Sequence, residues 1–369
     1  MDASNTASNI ASMDALCEVR GPLGLITLNR PKALNALTLG MIRVIDPVLK
    51  GWAADPAVKA VVIRGAGDRA FCAGGDVRAV YDDGLAWKRG EGDGAVTRDF
   101  FREEYRLNRR IKRFPKPYIA ILDGITMGGG VGLSVHGSHR VTTEKTLFAM
   151  PETGIGLFPD VGASYALSRM PGELGTYLAL TGARLHAADL TYLGVGTGHV
   201  PSAVVDTLVE ELAAADWAVD GPGKLADDIT ARHEVAVGEP TLPGHREAID
   251  RCFARPTVEA ILEALVKEGT EWADQTAKTL ATLSPTSLKV ALAEMRRGAL
   301  LDFDDCLRME YRLSQACMRG TEFYEGIRAV LVDKDRNPRW RPAELSAVSD
   351  ADVAAHFAPE GVDDLDFRD

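Results

Sequence analysis

The sequence predicts an α/β domain that gives way to a helical C-terminal region. Three observations carry this. Apolar runs rich in β-branched residues, such as 58–63 and 118–122, alternate with stretches of helical periodicity up to about residue 205. Two of those runs lead into glycine-rich turns, at 71–76 and 127–132. From residue 246 onward only helical patterns remain.

Taken in order, residues 16–28 read as a hairpin turning at Gly21-Pro22-Leu23-Gly24. Thr38 is a helix cap, and the helix it opens carries the apolar stripe Ile42, Ile45, Leu49 and Trp52. A strand at 58–64 precedes the first glycine turn, and a charged helix spans 97–114. The strand at 118–122 leads to the second glycine turn and a short helix. Strand-like runs sit at 139–150, and helices follow at 160–170, 173–181 and 187–193. Residues 219–245, bracketed by Gly221-Pro222-Gly223 and Gly238-Glu239-Pro240, read as a linker or loop. Helices are expected at 246–253, 257–268, 271–283, 285–297 and 302–319. The expected organisation is a disordered start at 1–14, a core at 15–205 and a helical insertion at 206–280. A C-terminal helical region at 281–348 and an acidic tail at 349–369 complete it.

Composition narrows the function. The chain has 369 residues, 46% of them hydrophobic and 26% charged, as a soluble globular protein does. A net charge of −11 argues against broad nucleic-acid binding. The local basic cluster Arg106, Arg109, Arg110, Lys112, Arg113 and Lys116 is either an anion-facing patch or a solvated helix face, and composition favours the latter. Cys17, Cys72, Cys252, Cys306 and Cys317 are scattered, which fits neither a disulfide framework nor a zinc site. A cytoplasmic location is therefore expected. Residues 1–14 have no Lys or Arg and resemble neither a secretory signal nor a basic transit peptide. No apolar run approaches the ~18 residues of a membrane span.

Several chemistries are excluded by pattern. Gly65-Ala66-Gly67 after a strand imitates a dinucleotide fingerprint, but Phe71-Cys72-Ala73-Gly74-Gly75 follows where a long helix is needed. No phosphate loop with Gly-Lys-Ser/Thr is present, and Gly132-Leu133-Ser134-Val135-His136 lacks the last glycine of a nucleophile elbow. His136 and His139 read as structural, since no convincing partner ligands accompany them.

The glycine turns are the positive signal. One alone reads as an ordinary tight turn. Two, each closing a strand and one opening a helix, offer paired backbone N–H groups to one oxygen, which is an oxyanion hole. Asp76 either caps the next helix or contacts the ligand. Glu152 sits among Phe148, Ala149, Met150, Ile155 and Leu157, so partial burial and a raised pKa are expected. Asp160 is either an N-cap of the following helix or a second working carboxylate.

These segments together resemble the crotonase (enoyl-CoA hydratase/isomerase) superfamily, whose fold is a spiral of ββα turns. The opening motif Asn29-Arg30-Pro31-Lys32-Ala33-Leu34-Asn35-Ala36-Leu37 belongs to the resemblance. Within the superfamily the chain is similar to the 3-hydroxyisobutyryl-CoA hydrolase branch. That rests on Phe158-Pro159-Asp160-Val161-Gly162-Ala163-Ser164-Tyr165, on residues 309–320 and on residues 325–335. The resemblance spans residues 16–346.

The resemblance implies donors at the N–H groups of Ala73 and Gly129, and catalytic carboxylates at Glu152 and Asp160. It implies that Lys32, Ala33, Gly74, Gly75 and Asp76 line coenzyme A and that Glu104 contacts substrate. Arg30 either pairs with a phosphate or stabilises its own Arg-Pro turn. Gly132 stands where hydratases carry a glutamate, which argues against plain hydration and for thioester hydrolysis. The implied substrate is a short branched 3-hydroxyacyl-CoA. Coenzyme A is part of it, and no metal or redox cofactor, nucleic acid or membrane is called for. A homo-oligomer is compatible with the resemblance, although the material at 206–280 leaves assembly open. The rival expectations are a hydratase or isomerase on the same fold and a non-catalytic acyl-CoA-binding protein.

Overall fold

A computed structural model describes residues 10–12, 14–218, 221–359 and 364–367. They form two compact units interleaved along the chain. The first comprises the described residues of Met1–Gly75, Leu107–Phe148 and Leu185–Glu239; the second comprises those of Asp76–Arg106, Ala149–Arg184 and Pro240–Asp369.

The strands are β1 (Ile10–Ser12), β2 (Ala15–Arg20), β3 (Leu23–Leu28), β4 (Ala60–Gly65), β5 (Ala70–Cys72), β6 (Tyr118–Leu122), β7 (Ile125–Met127), β8 (His139–Thr142), β9 (Leu147–Ala149) and β10 (Gly198–His199). Among the described residues they form a seven-stranded sheet in the order β1-β2-β3-β4-β6-β8-β10 and a three-stranded sheet β5-β7-β9. The chain alternates between them. β4, β6 and β8 each join the larger sheet, and β5, β7 and β9 follow in the smaller one, before a helical segment at Val77–Lys88, Gly129–Gly132 and Glu152–Ile155. This is the expected ββα repeat. From β3 onward the larger sheet is parallel, with Val62 opposite Ile119 and Ile121 opposite Val141. Parallel strands are covered on both faces, so β4 and β6 read as continuous apolar runs.

Thr38 caps the helix Leu39–Ala54 by accepting from the Met41 N–H at 3.1 Å, and the stripe Ile42, Ile45, Leu49 and Trp52 is buried as expected. The expected linker at 219–245 contains a helix, Pro222–Ala231. Ala226 and Ile229 on it join Leu208, Leu212 and Trp217 against Leu25, Val62 and Ile119 of the sheet. Burying each such large aliphatic side chain contributes about 1.5–3 kcal/mol, which outweighs the breaker signal of the flanking glycines. The expected disordered start at 1–14 is likewise corrected where it is described. Residues 10–12 are β1, antiparallel to β2 with Ile10 opposite Cys17, a pairing that uses backbone groups. Residues 1–9 lie outside the described residues.

The second unit is helical, and its boundaries follow the caps. Thr257, Thr270, Ser284 and Asp302 each accept a backbone N–H at the start of Val258–Glu268, Glu271–Leu280, Pro285–Gly298 and Phe303–Arg319. The acidic end includes the helix Asp350–His356, with Phe357 and Leu365 buried and Arg312 bonded to Asp364. The segment 206–280 is divided: Val205–Ala214 and Pro222–Ala231 belong to the first unit, and Arg246–Phe253 onward belongs to the second.

Candidate active site

In the first unit the two glycine turns meet. β5 and β7 pair in parallel, Cys72 opposite Thr126, and each strand runs into its turn. Gly128 has φ +47° and ψ −119°, a conformation closed to residues with a Cβ. A Cβ at Gly130 would fall inside contact distance of the Cys72 carbonyl oxygen, so only glycine lets the turns approach this closely. No described residue accepts from the N–H of Gly129, the first position of the short helix.

The other expected donor is corrected. The Ala73 N–H donates to the Leu34 carbonyl at 3.0 Å and is committed to holding the 29–37 loop. Two residues on, the Gly75 N–H has no acceptor among the described residues. The same loop explains the opening motif. Buried Asn35 donates to the carbonyls of Ala66 (2.9 Å) and Ala70 (2.8 Å) and accepts from the Arg30 N–H (2.9 Å). Arg30 donates to the Ala36 carbonyl at 2.7 Å, which fits its turn-stabilising role. Lys32 and Ala33 are exposed on the 3₁₀ turn Pro31–Ala33. His139 is tied through its ring nitrogens to Ser138 Oγ and the Gly223 carbonyl, as a structural histidine would be.

The second unit holds the carboxylates. Glu104, on the helix Ala95–Lys112, is 2% exposed; Glu152, opening the 3₁₀ helix Glu152–Ile155, and Asp160 are each 5% exposed. Glu104 is therefore not a solvated helix charge. Asp160 is not a side-chain cap: the N-cap of Ala163–Ala166 is Gly162, and Asp160 Oδ2 accepts from the Tyr105 hydroxyl at 2.9 Å. Asp76, by contrast, does cap Val77–Lys88, accepting from the Ala79 N–H at 3.4 Å.

Electrostatics bind the acids into one group. Burial, then the charges of Asp160 and Glu152, push the Glu104 carboxyl well above its usual range. Glu152 is driven up by burial and then by Asp160. Burial raises Asp160 to about 7, with the Tyr105 hydrogen bond pulling the other way. Glu104 Oε1 and Glu152 Oε2 are buried without a hydrogen-bond partner among the described residues. Burial and like charge thus both favour the protonated forms of these carboxyls.

Three residues escaped the sequence reading. Tyr105 looks like an apolar contact in an amphipathic helix. Glu294 and Glu310 look like solvated charges in Pro285–Gly298 and Phe303–Arg319, yet both are 0% exposed. Helical spacing that sets them beside Ala291 and Leu307 was the available signal.

The chain matches the enoyl-CoA hydratase/isomerase family over residues 23–357 and belongs to that family. Within it, the chain is 49% identical to the mitochondrial 3-hydroxyisobutyryl-CoA hydrolase of Danio rerio, across 98% of this chain and 92% of that protein. Identity to the Homo sapiens protein of the same name is 47%, across 97% and 92%. Among solved structures, a carnitinyl-CoA dehydratase from Mycobacterium thermoresistibile is 45% identical with a TM-score of 0.88, covering 96% of this chain and 99% of that one. An enoyl-CoA hydratase from Rhodobacter sphaeroides is 41% identical with a TM-score of 0.86, covering 96% and 100%. The crotonase fold is thus shared over nearly the whole length. Both hydrolases are named as mitochondrial, which overturns the expectation of a cytoplasmic location. All five cysteines are free, and cysteine usage does not say which compartment holds the chain. No helix among the described residues is long and apolar enough to cross a membrane.

Proposed function

We propose that the chain hydrolyses 3-hydroxyisobutyryl-CoA to 3-hydroxyisobutyrate and coenzyme A. The observation that carries this is a buried Glu152 and Asp160, with Tyr105 on Asp160, in a chain where Gly132 occupies the place of the hydratases' first glutamate. The near-half identity to 3-hydroxyisobutyryl-CoA hydrolases over almost the full length supports the same substrate.

In this reading the N–H groups of Gly75 and Gly129 receive the thioester oxygen as it gains charge. Such a donor typically contributes about 10²–10³ in rate. Glu152, ionised, either takes a proton from water as the water oxygen bonds to the acyl carbon, or bonds to that carbon itself and gives an anhydride that water then opens. In both routes the C–S bond breaks and the thiolate leaves with a proton supplied from the acid group. Asp160 holds the substrate hydroxyl or passes that proton. Glu104 contacts the acyl group. Exposed Lys32, with Ala33, Gly74 and Asp76, lines the coenzyme A arm. Free thiol released from 3-hydroxyisobutyryl-CoA tests the reading, and release no faster than from a Glu152→Ala control overturns it.

The names of the two solved relatives favour a second reading, addition of water to an enoyl-CoA or its reverse. Loss of the enoyl absorbance of crotonyl-CoA without thiol release would select it. Coenzyme A binding with turnover of neither ester would select a non-catalytic role.

A further inference from the structure

The segment after Asp160 is held in a shape its residues do not prefer. Val161 has φ +56° and is 1% exposed, and Gly162 follows at φ +83°. A β-branched residue in the left-handed region is a genuine outlier that persists only where its surroundings over-determine it. Those surroundings include the fully buried Glu310 on Phe303–Arg319. One carboxylate oxygen accepts from the Gly162 N–H at 2.6 Å. The other accepts from the Ser164 N–H at 3.0 Å and from the Ser164 hydroxyl. Three donors on one carboxylate tie both flanks of residue 163 to a single helix.

We propose that Glu310 is a positioning residue for Asp160: its carboxylate clamps the backbone of Gly162 and Ser164 and thereby fixes the left-handed turn from which Asp160 meets the Tyr105 hydroxyl. This rests on the catalytic reading of Asp160 above. The acceptor set is what gives Glu310 its specificity. Glutamine keeps its size, yet whichever way its amide turns, an NH₂ group faces a backbone N–H. Burial raises Glu310 to about 8, and the bonds from Ser164 and Gly162 oppose that shift, as a clamp made of donors must.

The test compares Glu310→Gln, Asp160→Asn and the double variant by thiol release, with amide hydrogen exchange at residues 162 and 164. Glu310→Gln is expected to lower kcat by about 10–100-fold at unchanged KM, the cost of a small misplacement of a working group. Exchange at Gly162 and Ser164 should accelerate. In the Asp160→Asn background, Glu310→Gln should add no further loss, because Glu310 acts through Asp160. Wild-type kcat with wild-type exchange, or losses that multiply in the double variant, would overturn the proposal. Should Asp160→Asn release thiol at the wild-type rate, the catalytic reading of Asp160 falls, while exchange in Glu310→Gln still judges the clamp. If Glu310→Gln does not fold, Ser164→Ala removes the hydroxyl bond alone and leaves both backbone bonds, and a several-fold lower kcat that Asp160→Asn again masks is expected.

Discussion

The two units solve different problems with different materials. In the first, the groups proposed for the chemistry are the backbone N–H groups of Gly75 and Gly129, and side chains are kept out of the way. In the second, side-chain acids are buried: Glu104, Glu152, Asp160, Glu294 and Glu310. Backbone donors carry no net charge, so burying them costs only their hydrogen bonds to water. Buried acids of like charge cost far more, and burial raises the pKa of each of the five. On the proposed reading, pH acts on the chemistry through the acids of the second unit and not through the backbone donors of the first.

Replacing Glu152 is expected to have the largest effect. Glu152→Gln keeps the shape and loses both nucleophile and base, so kcat for thiol release should fall by about 10²–10⁴. Gly130→Ala tests the first unit. The new Cβ meets the Cys72 carbonyl oxygen and pushes the glycine turns apart, and a loss of about 10²–10³ in kcat, with far-ultraviolet circular dichroism unchanged, is expected if the Gly129 donor is displaced. Unaltered kcat would remove that turn from the chemistry.

Tyr105→Phe sharpens the contrast. It deletes one hydrogen bond to a charged acceptor, worth about 1.5–3 kcal/mol, so kcat should drop about 10–100-fold. Because the Tyr105 bond holds the Asp160 carboxyl down, its loss should move whichever limb of kcat/KM Asp160 sets to higher pH. The same variant made against a backbone donor would shift no limb.

The smallest effect is on stability. Asp160 and Glu310 are raised to about 7 and about 8 in the folded chain, against about 3.9 and 4.3 when unfolded. The folded state then binds more protons than the unfolded state in that interval. Their contribution is full below about pH 4 and is lost as pH rises through 7 and 8. A thermal midpoint that falls from pH 5 to pH 8, and falls less in Asp160→Asn, is expected. Asp364 and Asp335, lowered by Arg312 and Arg328, act in the opposite sense at lower pH, where stability is lost as they protonate.

Much of the fold was legible because its signals are local. Apolar runs marked β4 and β6, and Thr38, Thr257 and Asp302 marked helix starts. The short β5, β7 and β10 were not legible, since strands of two or three residues exist only through their neighbours. Glu152 and Asp160 could be picked out by spacing and resemblance. Ala73 was chosen over Gly75 because sequence does not record which N–H a neighbouring loop has already taken.

Sequence alone determined the alternation of strands and helices, the positions where no Cβ is admissible, and the family to which the chain belongs. These are properties of backbone sterics and local periodicity, and each is written in a few adjacent residues. Tertiary structure decided which N–H groups stay unpaired, that Tyr105 reaches Asp160, and that Glu294 and Glu310 are buried. Burial and long-range hydrogen bonds set those outcomes, because desolvation depends on what packs around a group and not on the residues beside it in the chain.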